Sequence, residues 1–444
     1  MRLTRRNFIL TSAATVGAAL VLPGRYAHAT LSSRSATDVL TDPQLGFSDA
    51  EIARLGNLID HGLLEIEMIA TLPQGVPTQH LGWPVATRLP TGRVVVLYRR
   101  AMGHTDQDDA PEAGHYVMFS DDMVNWQPQP PIRLGTLPGM HCVGHVVRPN
   151  GGDRLLAITS GKPRTLYTSD DYGASWQTHT DRFNGMLRTA PHVGPNMINH
   201  PDFGVVVTFG QENNGGRRCY IINSTDAGET WNERVWLNRP GSRGFEPTLA
   251  TWGPGHMVMI SREARDSFAI GPDGLFGHSQ HVYQHRAGAK FQEVKFETQR
   301  SNIVGNPAAG SGCNDTAEVA FNPVSGRIEV LQSHRWGGGL GKTGTTIEKD
   351  PEREISSLNL WSIDPDALLA GSADWRFDGT VIERIGYSRK GNRDGLHPGG
   401  SIIDTERNMQ HVFVYAGWRR TPSSLFRISR TLDTDRWREA VLVT

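Results

Sequence analysis

The chain has 444 residues, 45 Lys and Arg against 46 Asp and Glu, and a formal net charge of −1. That balance excludes the basic surface a nucleic acid or an anionic membrane would need. With 49 Gly and 26 Pro and short, β-branched apolar runs, the chain reads as all-β with many turns.

Residues 1–29 read as a targeting segment. Thr4-Arg5-Arg6-Asn7-Phe8-Ile9-Leu10 resembles the twin-arginine export motif, an apolar run to Leu22 follows, and Ala27-His28-Ala29 has the small residues of a cleavage site. The run is too short to span a bilayer. Its removal takes away Arg2, Arg5, Arg6 and Arg25 and no acid, so the net charge falls from −1 to −5. The expected location is periplasmic or secreted, with no membrane contact after cleavage. Cys142, Cys219 and Cys313 form no disulfide framework. Because such substrates fold before export, a structural divalent metal could be loaded in the cytoplasm.

Residues 30–46 read as a flexible lead. Ser48-Asp49-Ala50-Glu51 is a capping box, and Ile52, Leu55, Leu58 and Ile59 follow at helical spacing, which predicts a short helix. Leu64–Ala70 reads as one strand. The expected organisation is therefore 1–29 signal, 30–62 lead and helix, and 63–444 one repeat domain.

From about Gly82 a unit of four strands, A to D, repeats. The A–B turns are Pro90-Thr91-Gly92, Pro149-Asn150-Gly151, Pro201-Asp202, Gly253-Pro254-Gly255, Pro323-Val324-Ser325-Gly326 and Asp404–Asn408. The B strands are Val94–Tyr98, Leu155–Thr159, Val205–Phe209, Met257–Ser261, Ile328–Leu331 and Val412–Tyr415. Ser169-Asp170-Asp171-Tyr172-Gly173-Ala174-Ser175-Trp176 recurs as Ser224-Thr225-Asp226-Ala227-Gly228-Glu229-Thr230-Trp231. In this turn the Asp accepts from backbone, the Gly takes positive φ and the Trp plugs the gap beneath. Ser120-Asp122-Trp126 and Thr431-Asp433-Trp437 are shortened relatives. Such a period in a strand-rich chain predicts a β-propeller. Six blades are counted, with room for a seventh, and Trp126, Trp176, Trp231, Trp375 and Trp437 are expected at equivalent rim positions. The fifth unit carries an insertion over 337–354.

In a propeller the starts of A strands and the B–C connections converge on one face of the channel. The A starts are His80, His141 with His145, His192, Glu246, Asn314-Asp315 and His397. The B–C segments hold Arg99-Arg100, His104 and Asp106, then Lys162 and Arg164, then Glu212 and Arg217-Arg218. Arg262 and Arg265, His334-Arg335 and Trp418-Arg419-Arg420 complete the set. A mouth rich in Arg and His suits an anionic ligand and proton transfer. His278, His281 and His285 with Cys313 match no standard zinc spacing.

The Ser-x-Asp-x-Gly-x-Ser/Thr-Trp turns and the strand repeat resemble the sialidase (BNR, Asp-box) superfamily of propellers over about residues 80–440. A sialidase-type exo-glycosidase would take Asp106 as acid, Glu246 as the Glu, and Arg262 and Arg335 as two of three arginines. The place of the first arginine is held here by Gly82-Trp83-Pro84. A second branch, the propeller polysaccharide lyases of the ulvan and rhamnose–glucuronate type, implies His80 and His104 as a His pair and Arg164, Arg217 and Arg335 as arginines. His141 or His145 then stands where that branch has its Tyr. Elimination fits a His- and Arg-rich mouth: arginines neutralise a uronate carboxylate, and His groups move the C5 proton and protonate the leaving oxygen. The expected lyase site is a proton-transfer pair His104 and His141, a clamp Arg164, Arg217 and Arg335, and His80, His397, Arg262, Glu246 and His334 around the substrate. No cofactor is required, and the partner is an anionic oligo- or polysaccharide. A glycan-binding propeller without turnover is the third reading.

Replacing Arg5-Arg6 by Lys-Lys is expected to stop export of the folded protein, whose mature form should begin near Thr30. Cell fractionation with N-terminal sequencing checks this, and mature double variant in the periplasm would overturn it.

Overall fold

Strands joined by the turns read above wrap as antiparallel meanders around one axis, giving an all-β propeller with few helices. The computed structural model describes residues 35–42, 45–72, 80–103, 111–135, 140–159, 164–183, 192–213, 216–237, 244–263, 277–303, 313–336, 355–385, 396–417 and 423–442. The targeting segment, His104, Asp106, Lys162, Arg265, residues 337–354 and Trp418-Arg419-Arg420 lie outside the described residues.

The chain starts with α1 (Ala36–Leu40), α2 (Asp49–Asp60) and β1 (Leu64–Ala70). The first meander is β2 (His80–Arg88), β3 (Val94–Ala101), β4 (Gly114–Ser120) and β5 (Gln127–Gly135). The second is β6 (His141–Val147), β7 (Asp153–Thr159), β8 (Thr165–Ser169) and β9 (Gln177–His179). The third is β10 (His192–His200), β11 (Gly204–Asn213), β12 (Gly216–Ser224) and β13 (Val235–Trp236). Then come β14 (Gly244–Trp252), β15 (His256–Glu263), β16 (His278–Tyr283) and β17 (Glu297–Arg300). These are followed by β18 (Cys313–Asn322), β19 (Arg327–Trp336), β20 (Ile355–Ile363), α3 (Pro365–Leu369) and β21 (Arg376–Ile385). The last are β22 (Gly399–Asp404), β23 (Met409–Ala416), β24 (Ser424–Thr431) and α4 (Thr434–Leu442). Each expected B strand falls inside β3, β7, β11, β15, β19 or β23.

The expectation of six separate blades is corrected. Four four-stranded sheets stand separately, whereas the second and third meanders join as one eight-stranded sheet. Their innermost strands, β6 and β10, meet in a parallel bridge at Asn196 and Val143. The innermost strands β2, β6, β10, β14, β18 and β22 pack successively around the axis, and β22 returns to β2.

The ring closes through the N-terminal strand. β1 adds to β24 as the outer strand of the last sheet, with Leu64 opposite Arg430 and Met68 opposite Phe426. Arg427 on β24 crosses this seam to Glu67 at 3.0 Å and Glu65 at 2.8 Å. On the axis side, β22 presses on β2: a Cβ at Gly399 would stand 1.9 Å from Pro84 O.

The lead is not flexible over its described part. Val39, Leu40 and Leu45 join Leu55, Leu58, Val412, Phe426 and Ile428 in one core. Ser48 caps α2 by accepting from Glu51 N. Glu51 itself turns to Arg54 and accepts from Glu383 N at 2.8 Å, so α2 is tied to β21.

The two full turn motifs adopt one geometry. Asp171 accepts from Ser169 Oγ, Ser175 N and Ser175 Oγ, and Asp226 accepts from Ser224 Oγ, Thr230 N and Thr230 Oγ1, all at 2.5–2.9 Å. Positive φ extends to the preceding residues, Tyr172 at 60° and Ala227 at 57°. Trp231 is buried against Phe183, while Trp176 is half-buried and donates to Gly173 O. The first relative keeps the turn: Asp122 accepts from Val124 N and Asn125 N, and Trp126 meets Phe413 of the last sheet edge-on at 5.8 Å. Burying such a side chain stabilises by about 1.5–3 kcal/mol. The other two tryptophans depart from the expected position. Asp433 accepts from Arg436 N at the start of α4, so Trp437 is buried on a helix. Trp375 precedes β21 and donates to Gln280.

Gly399→Ala should force β22 away from β2 and destabilise the fold by about 1–3 kcal/mol. Denaturant unfolding checks this, and an unchanged midpoint would mean that the two inner strands separate without cost.

Candidate active site at the channel mouth

Five inner strands slip register against their neighbours near the mouth, at Gly82/Val85, Val193/Met197, Phe245/Thr248, Asn314/Ala317 and Gly399/Ile402. The sixth, β6, pairs with its neighbour without a slip. Three slips contain an X-Pro step: Trp83-Pro84, Gly194-Pro195 and Glu246-Pro247. Trp83 and Glu246 take φ of 49° and 48°, a strained region for residues with a side chain. A bulge re-aims the residue it carries, and these two carry a Trp and a Glu.

Around Trp83 stands a cationic and aromatic group. The Arg99 guanidinium lies 5.1 Å from its ring centre. His80 is 5.7 Å away and Tyr415 6.3 Å. Tyr415 meets His80 edge-on at 5.1 Å and stacks on His397 at 5.2 Å, so the phenol ring lies between two imidazoles. His397 Nδ1 is hydrogen-bonded to Thr316 Oγ1 at 2.7 Å. The His80 ring folds back over residue 82, where a Cβ would come within 2.2 Å of Cε1, so only glycine fits.

Next to this group is a histidine pair. His141 Nε2 lies 3.1 Å from Leu97 O. A carbonyl only accepts, so Nε2 carries the proton. Burial pushes the His141 pKa down to about 4, helped by the Arg99 charge, and the ring is neutral. Its Nδ1 therefore accepts from His115 Nδ1 at 2.9 Å. Both nitrogens of His141 are thus engaged in holding β6 to the first sheet and in orienting His115.

On β14 and β15, Glu246 Oε2 pairs with Arg262 Nη1 at 2.8 Å. His192 stands beside Glu246: the two flank Gly210, with Glu246 N at 3.7 Å and His192 Cβ at 3.8 Å from a Cβ built there. Below the bulges, Glu318 is buried near the axis. It accepts from Thr248 Oγ1 at 3.0 Å and Ser401 N at 2.9 Å, linking β14, β18 and β22. Burial pushes its pKa up to about 7 despite these donors.

Of the residues expected from sequence, His80 and His397 come together around Tyr415, and Glu246 and Arg262 form an ion pair. His334 is buried on β19, opposite Asn314. Arg164 is buried, its pKa lowered by desolvation, with Tyr220 of the third meander as its charge neighbour. Arg217 and Arg335 lie at the mouth ends of β12 and β19, paired in register with Glu212 and Ser356; their side chains are outside the described set. Arg218 turns to Trp236, 3.9 Å from its ring centre. His145 pairs with Asp153 at 2.8 Å, at the other end of β6. His278, His281 and His285 face separate partners: Ile303 O, Ser261 with Thr298, and Asp202. Among the described residues no group of three or more His, Cys, Asp or Glu could hold a metal ion.

Sequence reading passed over Trp83, His115, Tyr415 and Glu318 as site residues. Tyr415 ends the expected B strand Val412–Tyr415, and the rule that B-strand ends converge on the mouth would have found it. His115 opens a C strand beside Arg99. Glu318 is an acid between Ala317 and Val319 on an inner strand.

No protein-family model matches the sequence, and no curated protein matches it. Among solved structures, the chain is similar to a mutant of the α-L-arabinofuranosidase of Fusarium graminearum in complex with an iminosugar inhibitor: 12% identity, TM-score 0.52, 79% of this chain and 93% of that one. It is similar to the α-L-arabinanase of Penicillium chrysogenum: 12% identity, TM-score 0.50, 81% of this chain and 96% of that one. A third is the NanB sialidase of Streptococcus pneumoniae: 10% identity, TM-score 0.50, 82% of this chain and 71% of that one. The chain thus has the sialidase-like β-propeller fold.

Glu318 generates a pH test. Its folded carboxyl keeps a proton that the unfolded chain releases near 4.5, so its contribution to stability falls as pH rises from about 4.5 to about 7. Glu318→Gln cannot ionise and should lack that fall. Thermal midpoints of both proteins across this window check it; a constant difference between them would refute the raised pKa.

Proposed function

We propose that this chain is an exported carbohydrate-active enzyme that cleaves a uronate-containing, anionic glycan at the channel mouth by β-elimination. The observation that carries this reading is Tyr415 held between His80 and His397, beside Trp83 and its Arg99 neighbour. Elimination needs a group to take the C5 proton, a group to protonate the leaving oxygen, and cations on the carboxylate. Tyr415 and His80 are the proton-transfer candidates, with His397 orienting the phenol ring. Arg99 and Arg262 supply positive charge among the described residues; His104, Arg164, Arg217 and Arg335 stay as further candidates. Trp83 offers a face on which a sugar ring can stack. His141, neutral and bonded through both nitrogens, is better suited to positioning His115 than to moving a proton itself. The mechanism calls for no cofactor.

Hydrolysis is the second reading. The fold neighbours named as an arabinanase and an arabinofuranosidase support it, as does Glu246, a carboxylate on a strained bulge at the rim. Its carboxylate is aimed at Arg262, 2.8 Å away, at the rim.

The test is a screen of uronate glycans for the ultraviolet absorbance of an unsaturated uronate. In a glycan that is cleaved, Tyr415→Phe and His80→Ala should each lower turnover by about 10²–10⁴; Tyr415→Phe, which keeps the ring, should leave the thermal midpoint nearly unchanged. Cleavage without absorbance gain, abolished by Glu246→Gln, would replace elimination by hydrolysis. Saturable binding with no cleavage of any glycan would make the chain a binding propeller.

A further inference from the structure

β18 holds both ends of the segment that carries His397. That segment is irregular: Leu396 takes φ of 62° and Gly400 φ of 49°, and between Gly399 and Ile402 the register of β22 against β23 slips. Gly400 and Ser401 lie inside the slip, out of the ladder, so their N–H groups need other acceptors. Glu318 on β18 is that acceptor. Its Oε1 accepts from Ser401 N at 2.9 Å, and Gly400 N donates to the same carboxyl. At the other end Thr316, also on β18, is hydrogen-bonded to His397 Nδ1 at 2.7 Å. His397 stacks on Tyr415, and Leu396 N donates to Tyr415 O at 2.6 Å. On its opposite side the segment has no room to move. A Cβ on Gly399 would stand 1.9 Å from Pro84 O, and one on Gly400 2.8 Å from Ala86 N and O. β22 cannot shift toward β2, so its hold on β18 decides where His397 stands.

We infer that Glu318 is a positioning residue for the mouth: its carboxyl fixes the bulged end of β22 and so sets His397 against Tyr415. An effect on turnover rests on Tyr415 being a proton-transfer group, as proposed above; an effect on the segment does not. The hold changes with protonation. A carboxylate accepts N–H bonds about twice as strongly as a neutral carboxyl, so the grip tightens as Glu318 ionises. Burial raises its pKa to about 7, which places that step in the neutral range. The groups facing the carboxyl are the Thr248 hydroxyl on β14 and the Gly400 and Ser401 amides on β22. None of these titrates, and the ionisable group further along the same contacts is His397.

NMR spectra of the wild-type protein and of Glu318→Gln, recorded from about pH 5 to about pH 8.5, read the segment directly. In the wild type the Ser401 amide and the Tyr415 ring should shift with one shared midpoint near 7. Glu318→Gln keeps an acceptor oxygen and cannot ionise, so both signals should lose that midpoint. A Ser401 amide that does not move, or a shared midpoint that persists in Glu318→Gln, would overturn the assignment. The wild-type titration stands even where the variant does not fold. On a glycan that the protein cleaves, Glu318→Gln should lower kcat by about 10-fold at about pH 8 with KM little changed, a loss that shrinks as pH falls below about 7. An unchanged kcat beside an intact NMR midpoint would count against Tyr415 as the proton-transfer group and leave the grip on β22 standing.

Discussion

Closure of the ring is the constraint on which the rest depends. A propeller whose last sheet lacks its outer strand leaves β24 as an open edge, with unpaired backbone groups facing solvent. Here β1 comes from the opposite end of the described chain to cover that edge. Arg427 then bridges the seam to Glu65 and Glu67. The contact joins residues 360 apart in sequence, so the cooperative unit is the whole ring. On the inner side, Gly399 and Pro84 approach so closely that no side chain fits between them. The strap of α1 and Leu45 follows from the same closure, since its apolar residues pack on the sheet that β1 completes.

Closure also makes the mouth. Inner strands pressed together around an axis cannot all remain regular, and five of them bulge at one level. The bulges turn Trp83 and Glu246 out of regular strand geometry at positive φ. Below that level Glu318 gathers donors from two other inner strands, so the floor is polar and rigid. The strain at the rim is offset by these inter-strand bonds.

The chemistry of the mouth is set by burial as much as by residue type. His141 is an imidazole that burial keeps neutral, and Glu318 is a carboxyl that burial keeps protonated toward neutral pH. Identical residue types elsewhere serve other ends: His145 and Asp153 pair across a hairpin, and Arg154 joins Asp170 and Glu229 between the second and third meanders. A mouth with a phenol between imidazoles and a guanidinium near an indole suits a polar ring carrying negative charge, which is why an anionic sugar is the substrate class favoured above.

By itself the sequence determined the strands, their turns and the repeat. Period-two apolar runs, Pro-Gly turns and Ser-x-Asp-x-Gly-x-Ser/Thr-Trp motifs are local signals, and local hydrogen bonds at Asp171 and Asp226 enforce them. The A-start rule likewise put His80, Glu246 and His397 at the mouth, because topology alone sends those positions there. Tertiary structure decided what no local pattern encodes. The joining of two meanders into one sheet depends on β6 meeting β10. Thr431-Asp433-Trp437 became a helix start because β24 ends under α4, not under another strand. Tyr415 gained His80 and His115 gained His141 only when separate sheets closed, across gaps that sequence spacing does not measure. The charge states of His141 and Glu318 follow from desolvation, a property of the assembled core rather than of any residue in the chain.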